Sequence, residues 1–211
     1  MYKRWPKTVR QLLYPSWSLH AIAKNLYTAI TIVDPLTEAG AAILTQINMI
    51  YSQTYPIRFG VTISCKAGLG VDVCTLFHHA RESYSPVAAI QFLFSLAEAV
   101  EETSEGSGGS GLTKDRIVEI FSATLVSSDG SKRSKAYLSE ATAVLSSPPS
   151  VEAEQYMANC TEYISSRGFP INSFSLNGIV TTSTDLGMNL HLRQKCKLLI
   201  TYLLCFYLKA P

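Results

Sequence analysis

Between Leu26 and Ile63 the spacing of hydrophobic positions changes twice. Leu26 to Val33 is a β-rich run stopped by Asp34-Pro35, and Thr37 to Gln53 then carries Ile43, Leu44, Ile47 and Ile50 at helical spacing. After Pro56, the stretch Ile57-Arg58-Phe59-Gly60-Val61-Thr62-Ile63 alternates like a strand. Strand, helix, strand in that order predicts a parallel pair joined by a right-handed crossover. A second β pattern lies far downstream. Arg167-Gly168-Phe169-Pro170 turns the chain into Ser173 to Leu176, Asn177-Gly178 offers the positive φ angles of a tight hairpin, and Ile179 to Thr182 returns. A mixed sheet of these four segments is expected, the first two parallel and the last two antiparallel.

About half of the chain separates the two β regions, and its pattern is helical. Val71 to His79 and Pro86 to Glu102 have helical apolar spacing, with Ile90, Phe92, Leu93, Phe94 and Leu96 dense enough for a buried segment or an apolar contact surface. Ser104 to Gly111 has the composition of a mobile linker. Thr113 is a candidate N-cap for a helix through Leu125, Ser127 to Lys135 reads as a polar turn, and Lys135 to Leu145 as a further helix. After Pro148-Pro149, Ser150 caps a helix running to about Ser165. Gly68-Leu69-Gly70 has neither the lysine nor the further glycine of a phosphate loop and is read as a flexible strand-to-helix connection. The expected organisation is a lead-in arm over 1–25, a sheet domain in two parts over 26–66 and 163–211, and a helical insertion over 67–162 that contains the 104–111 linker.

Composition narrows the function classes. A chain of 211 residues with 47% hydrophobic content supports a full core, and a net charge of +2 argues against a dedicated nucleic-acid binder. Lys3, Arg4, Lys7, Arg10 and Lys24 precede the first acid, Asp34; they fit a solvated lead-in helix with Val9, Leu12 and Leu13 buried, or an arm that docks on an acidic surface. The apolar run Leu198 to Leu208 would rise only about 16 Å as a helix, too short for a bilayer, and reads as a buried final helix. No secretory signal is legible at the start, because Tyr2-Lys3-Arg4-Trp5-Pro6-Lys7 lacks an apolar core.

Candidate chemistry is sparse. The five cysteines, Cys65, Cys74, Cys160, Cys196 and Cys205, form no Cys-x-x-Cys and no metal spacing; an odd, scattered count more often means buried free thiols than a disulfide framework, and the redox compartment is not read from it. His78-His79 is the only histidine pair, and adjacent helical positions point about 100° apart, which is poor geometry for a shared metal. No metal ligand set and no catalytic residue is assigned. Asn159-Cys160-Thr161 matches the N-glycosylation triplet, which makes Asn159 a candidate acceptor if the protein enters the endoplasmic reticulum.

The corner at Pro170 and the hairpin at Asn177-Gly178 resemble the last part of the thioredoxin superfamily, in which the proline is cis; a cis bond between Phe169 and Pro170 is what the resemblance implies. A helical block between the two parts of such a fold is the layout of the DsbA-like group. In a thioredoxin-like enzyme the first strand passes to its helix through Cys-x-x-Cys, whose thiolate is activated by the helix N-terminus. Asp34-Pro35-Leu36-Thr37 stands there in this chain, so no dithiol is expected.

A more specific resemblance rests on Trp5-Pro6 with Leu12-Leu13-Tyr14-Pro15, on Lys24-Asn25-Leu26-Tyr27 entering a strand that ends Ile32-Val33-Asp34-Pro35, and on Ile50-Tyr51-Ser52 followed by Tyr55-Pro56-Ile57-Arg58-Phe59-Gly60. In order and spacing this series is similar to the third thioredoxin-like domain of the UDP-glucose:glycoprotein glucosyltransferases. The resemblance covers Trp5 to Ile63 well and Tyr163 to Val180 fairly; the middle matches only in being helical, and Lys195 to Pro211 does not match. It implies a redox-inactive module of a folding sensor in the endoplasmic reticulum lumen, whose partners are the other domains of the parent protein and misfolded glycoproteins. It also implies that catalysis, with a divalent metal and UDP-glucose, belongs to a separate hexosyltransferase domain. No Asp-x-Asp metal motif occurs in this chain, so no cofactor and no enzyme activity are expected of it alone. Two alternatives stay open: a DsbA-like or kappa glutathione transferase-like redox protein, for which Thr37 is the only hydroxyl in place of the thiol, and a generic peptide-binding scaffold.

Overall fold

The computed structural model describes residues 27–52, 57–105, 112–129 and 133–182. The elements are β1 (Tyr27–Val33), α1 (Glu38–Ser52), β2 (Ile57–Ile63), α2 (Leu69–Ser83), α3 (Pro86–Glu105), α4 (Lys114–Asp129), α5 (Ser134–Ser146), α6 (Val151–Arg167), β3 (Ser173–Leu176) and β4 (Ile179–Thr182). The strands form one sheet in the order β2-β1-β3-β4. β1 and β2 are parallel, with Val33 opposite Ile63; β1 and β3 are antiparallel, with Ile32 opposite Ser173; β3 and β4 are antiparallel, with Leu176 opposite Ile179. The sheet is therefore the mixed sheet expected from the pattern of the chain.

Alternation along the strands sets two faces, and both are covered: Ile32, Ser173 and Ser175 are buried on one, Ala29, Thr31, Val33 and Ile63 on the other. Ala29 and Val33 of β1 share a face with Phe59 and Ile63 of β2 and with Phe174 and Leu176 of β3. Helix α1 meets that face: Ile50 packs against Ala29 and Ile57, and the Tyr51 ring stands edge-on to Phe59 at 6.4 Å. The main core runs without a break from Val33 and Ile63 at the sheet through Leu44 and Ile47 of α1 to Phe92 and Phe121 in the helical block. Phe92 and Phe121 meet edge-to-face at 5.3 Å at its centre, and each is buried enough to stabilise the fold by about 2–3 kcal/mol.

The dense apolar segment of α3 is core: Phe92, Leu93, Phe94 and Leu96 are all buried, and none of them is a contact surface. The starts of α4 and α6 follow the local capping chemistry. Thr113 Oγ1 accepts from Arg116 N (3.3 Å) and Ser150 Oγ from Ala153 N (3.2 Å), as the sequence predicts. Helix α4 runs into the expected polar turn and ends at Asp129; Ser127 and Ser128 bond back to the carbonyls of Ala123 and Thr124, and Ser128 also reaches Gln91 at 2.6 Å. Helix α2 likewise begins earlier than expected. Gly68 takes φ 76°, and Leu69 and Gly70 are already helical rather than part of a loop. The arm over 1–25, residues 106–111 of the expected linker and the apolar run Leu198 to Leu208 lie outside the described residues; Ser104 and Glu105 belong to α3.

Candidate functional site

Both parallel strands deliver the chain to a helix at their carboxyl ends, on the same end of the sheet, and the two crossings lie side by side. The first is Asp34 to Thr37. Pro35 cannot continue the strand, and Thr37 becomes the N-cap of α1, its Oγ1 accepting from Gly40 N (3.1 Å). The same hydroxyl donates to Asp34 O (2.7 Å) and accepts from Asn172 Nδ2 (3.0 Å). One donor and two acceptor positions are then all in use. Thr37, the hydroxyl standing where a reactive thiol would be sought, has no lone pair left for a substrate.

Asn172 closes this crossing from far along the chain. It precedes β3 and takes φ 60°, a left-handed conformation that asparagine tolerates better than most residues. In that position its Oδ1 accepts from Asp34 N (2.9 Å) while its Nδ2 holds Thr37. Gly40 makes the close approach possible, because a Cβ there would overlap the Asp34 carbonyl oxygen and also press on Asn172 Oδ1. The buried Asp34 carboxylate accepts from Leu36 N (3.3 Å) through Oδ1 and from Lys66 Nζ (2.8 Å) through Oδ2.

Lys66 belongs to the second crossing, between β2 and α2. Here the structure corrects the expectation of free thiols: Cys65 and Cys74 form a disulfide with a Cα separation of 5.9 Å. Cys65 follows the strand end, where Ser64 N donates to Val33 O (2.8 Å), and Cys74 lies fully buried in α2. The intervening loop brings the two together by geometry that no Cys-x-x-Cys signature announces. Cys160 is free and buried, as expected, turned inward toward Tyr156, whose hydroxyl pKa is pushed up, first by burial and then by the neighbouring thiol. Cys196 and Cys205 lie outside the described residues.

The histidine pair divides as adjacent helical positions must. His78 faces the Tyr156 ring at 5.4 Å, while His79 Nε2 meets Glu140 Oε1 of α5 at 2.7 Å. Tyr84 donates to the other carboxylate oxygen at 2.6 Å. Partial burial raises the Glu140 pKa, but the bonds from Tyr84 and His79 outweigh it and hold the carboxyl below its usual value. The group ties α2 to α5. Among the described residues, no cluster of three or more His, Cys, Asp or Glu side chains is placed to hold a metal ion.

The remaining sequence-selected residues are separated. Asn177 and Gly178 form the β3–β4 turn with φ 49° and 90°, and Asn177 is also an anchor: its Oδ1 accepts from Thr28 N (2.8 Å) and its N donates to Thr28 O (2.9 Å). Pro170 lies between the Gly168 cap of α6 and β3, on the approach to Asn172. Asn159 is on the exposed side of α6, remote in sequence from both crossings. The residues that matter most at the crossings, Asn172, Gly40 and Lys66, have only weak signals in the sequence. One is an asparagine at a strand entrance, one a glycine in the first turn of a helix, one a lysine beside a cysteine.

A parallel β1–β2 pair crossed by α1, a β3–β4 hairpin and a helical block between them define a thioredoxin-like domain of DsbA-like layout. A family model described as a thioredoxin-like domain matches residues 1–201, and the chain belongs to that family. It is 26% identical over 110 residues to the UDP-glucose:glycoprotein glucosyltransferase of Drosophila melanogaster, covering 48% of this chain and 7% of that protein. It is 34% identical over 61 residues to UDP-glucose:glycoprotein glucosyltransferase 1 of Homo sapiens, covering 28% of this chain and 4% of that one. The matched stretch is thus a small part of each relative's length. Among solved structures, a thioredoxin-like oxidoreductase from Silicibacter pomeroyi superposes with a TM-score of 0.52 at 10% identity, covering 75% of this chain and 79% of its own. A protein-disulfide isomerase candidate from Pseudomonas syringae gives 0.50 at 17% identity, covering 75% and 88%. At these identities the two structures speak to the fold alone.

Proposed function

We propose that this chain is a redox-inactive thioredoxin-like module of a UDP-glucose:glycoprotein glucosyltransferase, contributing to recognition of misfolded glycoproteins in the endoplasmic reticulum lumen. The observation that carries the reading is the Asp34 to Thr37 crossing. The position from which a thioredoxin-like enzyme presents its thiolate holds no sulfur, and its one hydroxyl is committed to Asp34, Gly40 and Asn172. The partial matches to the glucosyltransferases support the particular parent, and the Cys65–Cys74 disulfide supports an oxidising compartment. The described residues do not suit a divalent metal, and the chain has no Asp-x-Asp. No step of glucose transfer is therefore assigned to this module; the metal and UDP-glucose belong to another domain of the parent.

The test combines two measurements on the full chain. Insulin reduction is expected at the rate of the reductant alone, and a reduced, unfolded glycoprotein is expected to bind more tightly than its native form. Turnover of insulin above that background, traced to Cys65 and Cys74 by their substitution, would replace this reading with the DsbA-like redox one. Equal affinity for native and unfolded glycoprotein would remove the recognition role.

A further inference from the structure

We propose that Asn159 carries an N-linked glycan, and that the outer face of α6 is thereby kept in solvent, away from neighbouring domains and clients. The proposal rests on the luminal reading above. Asn159-Cys160-Thr161 is the only Asn-x-Ser/Thr triplet in the chain. The folded structure treats its members differently. Cys160 turns into the protein, whereas Asn159 and Thr161, on either side of it, are exposed, as are Gln155, Ala158 and Glu162. Successive helical residues are about 100° apart, so a stripe of Ala153, Tyr156, Met157 and Cys160 packed on the core leaves Asn159 and Thr161 in solvent on its two flanks.

The bonding of Asn159 suits the modification. Its Oδ1 accepts from Gln155 Nε2 at 2.8 Å, and its Nδ2, the atom that takes the sugar, has no partner among the described residues. In the transfer, the Nδ2–C1 bond forms as the C1–oxygen bond to a lipid-diphosphate-linked oligosaccharide breaks. Nδ2 loses one proton and the lipid diphosphate leaves. The amide carbonyl is retained, so the bond from Gln155 survives. Transfer takes place on the extended chain before α6 forms; the fold has only to leave room afterwards, and an exposed helix face does so. The inward side of α6, with Ala153 and Cys160 buried, is already packed against the rest of the domain. A bulky, hydrated glycan on the Asn159 flank would bar that flank from any interface.

The experiment uses the endogenous protein, purified whole from its natural source under non-reducing conditions with free thiols blocked. Peptide N-glycosidase treatment in ¹⁸O-water followed by mass spectrometry of the tryptic peptide 136–167 is expected to find Asn159 converted to ¹⁸O-labelled aspartate. Expressed in the same cells, Asn159→Gln and Thr161→Ala are each expected to migrate like the deglycosylated protein, while Thr161→Ser keeps the slower mobility; the melting temperature of Asn159→Gln stays unchanged. An unmodified peptide with Cys65 and Cys74 oxidised would overturn the glycan while leaving the luminal reading in place. An unmodified peptide with both cysteines reduced would overturn the two together.

Discussion

The crossings after β1 and β2 have the same task, taking a parallel strand into a helix at one end of one sheet, and they are secured by opposite chemistry. The crossing after β1 contains no sulfur and is held by a lattice of hydrogen bonds from Asn172, Thr37 and the Asp34 backbone, seated against Gly40. The crossing after β2 is held by a covalent bond between Cys65 and Cys74. Lys66 joins them through Asp34. Each polar bond is worth only about 1 kcal/mol net, but an unmade one leaves a buried group desolvated, so the first crossing is fixed by mutual dependence. The second needs no such network. The Cys65–Cys74 bond lies one strand away from the place where a thioredoxin-like enzyme carries its Cys-x-x-Cys.

Substitutions can separate the two devices. The largest effect is expected at Gly40: Gly40→Ala drives a Cβ into the Asp34 carbonyl and is expected to cost about 3 kcal/mol or more, read as the loss of denaturant midpoint at unchanged slope. Next is the disulfide. Cys65→Ser with Cys74→Ser removes a short closed loop and is expected to cost about 2–3 kcal/mol, while hydrogen exchange at the amides of 34–41 stays slow if the first crossing is independent. Asn172→Gly keeps the left-handed backbone and deletes the clasp; a loss of about 1–3 kcal/mol with faster exchange at Asp34 and Gly40 is expected, and a neutral result would show that the clasp is not what holds the crossing. Lys66→Met leaves the carboxylate of Asp34, whose side chain is only 7% exposed, without its cation; because the Lys66 side chain is 59% exposed and solvent screens the pair, the cost should be about 1 kcal/mol. A larger loss there would mean that the two crossings act as one.

Away from that end of the sheet, Glu140 gives a weaker, pH-dependent tie between α2 and α5. Its folded-state pKa is depressed, so its stabilisation is present above the ordinary carboxylate range and fades as pH falls through the lowered value. The melting-temperature gap between wild type and Glu140→Gln should therefore be small at pH 7 and close only as pH falls below the ordinary carboxylate range, with the full gap worth about 0.5 kcal/mol at this partly exposed site.

The strands, the crossover helix, the caps at Thr113 and Ser150 and the Asn177-Gly178 turn were legible in the chain because each depends on residues a few positions apart. Period, capping side chain and turn conformation are local properties, and they are enough to set the class of fold. The absence of a dithiol after β1 was equally legible, as a matter of which residues stand between Val33 and Glu38. What occupies that place was not. Asn172 reaches Asp34 across 138 residues, Lys66 reaches it from the neighbouring crossing, and Cys65 finds Cys74 only once β2 ends and α2 turns back. Nor could spacing decide whether Phe92 to Leu96 faced water or the core, since an apolar stripe reads the same until the helices that cover it are in place. Sequence alone determined the elements, their order and the missing thiols, because those follow from neighbours along the backbone. Tertiary structure decided how the two crossings are locked, because the locking groups meet only after the sheet has brought distant parts of the chain to one end.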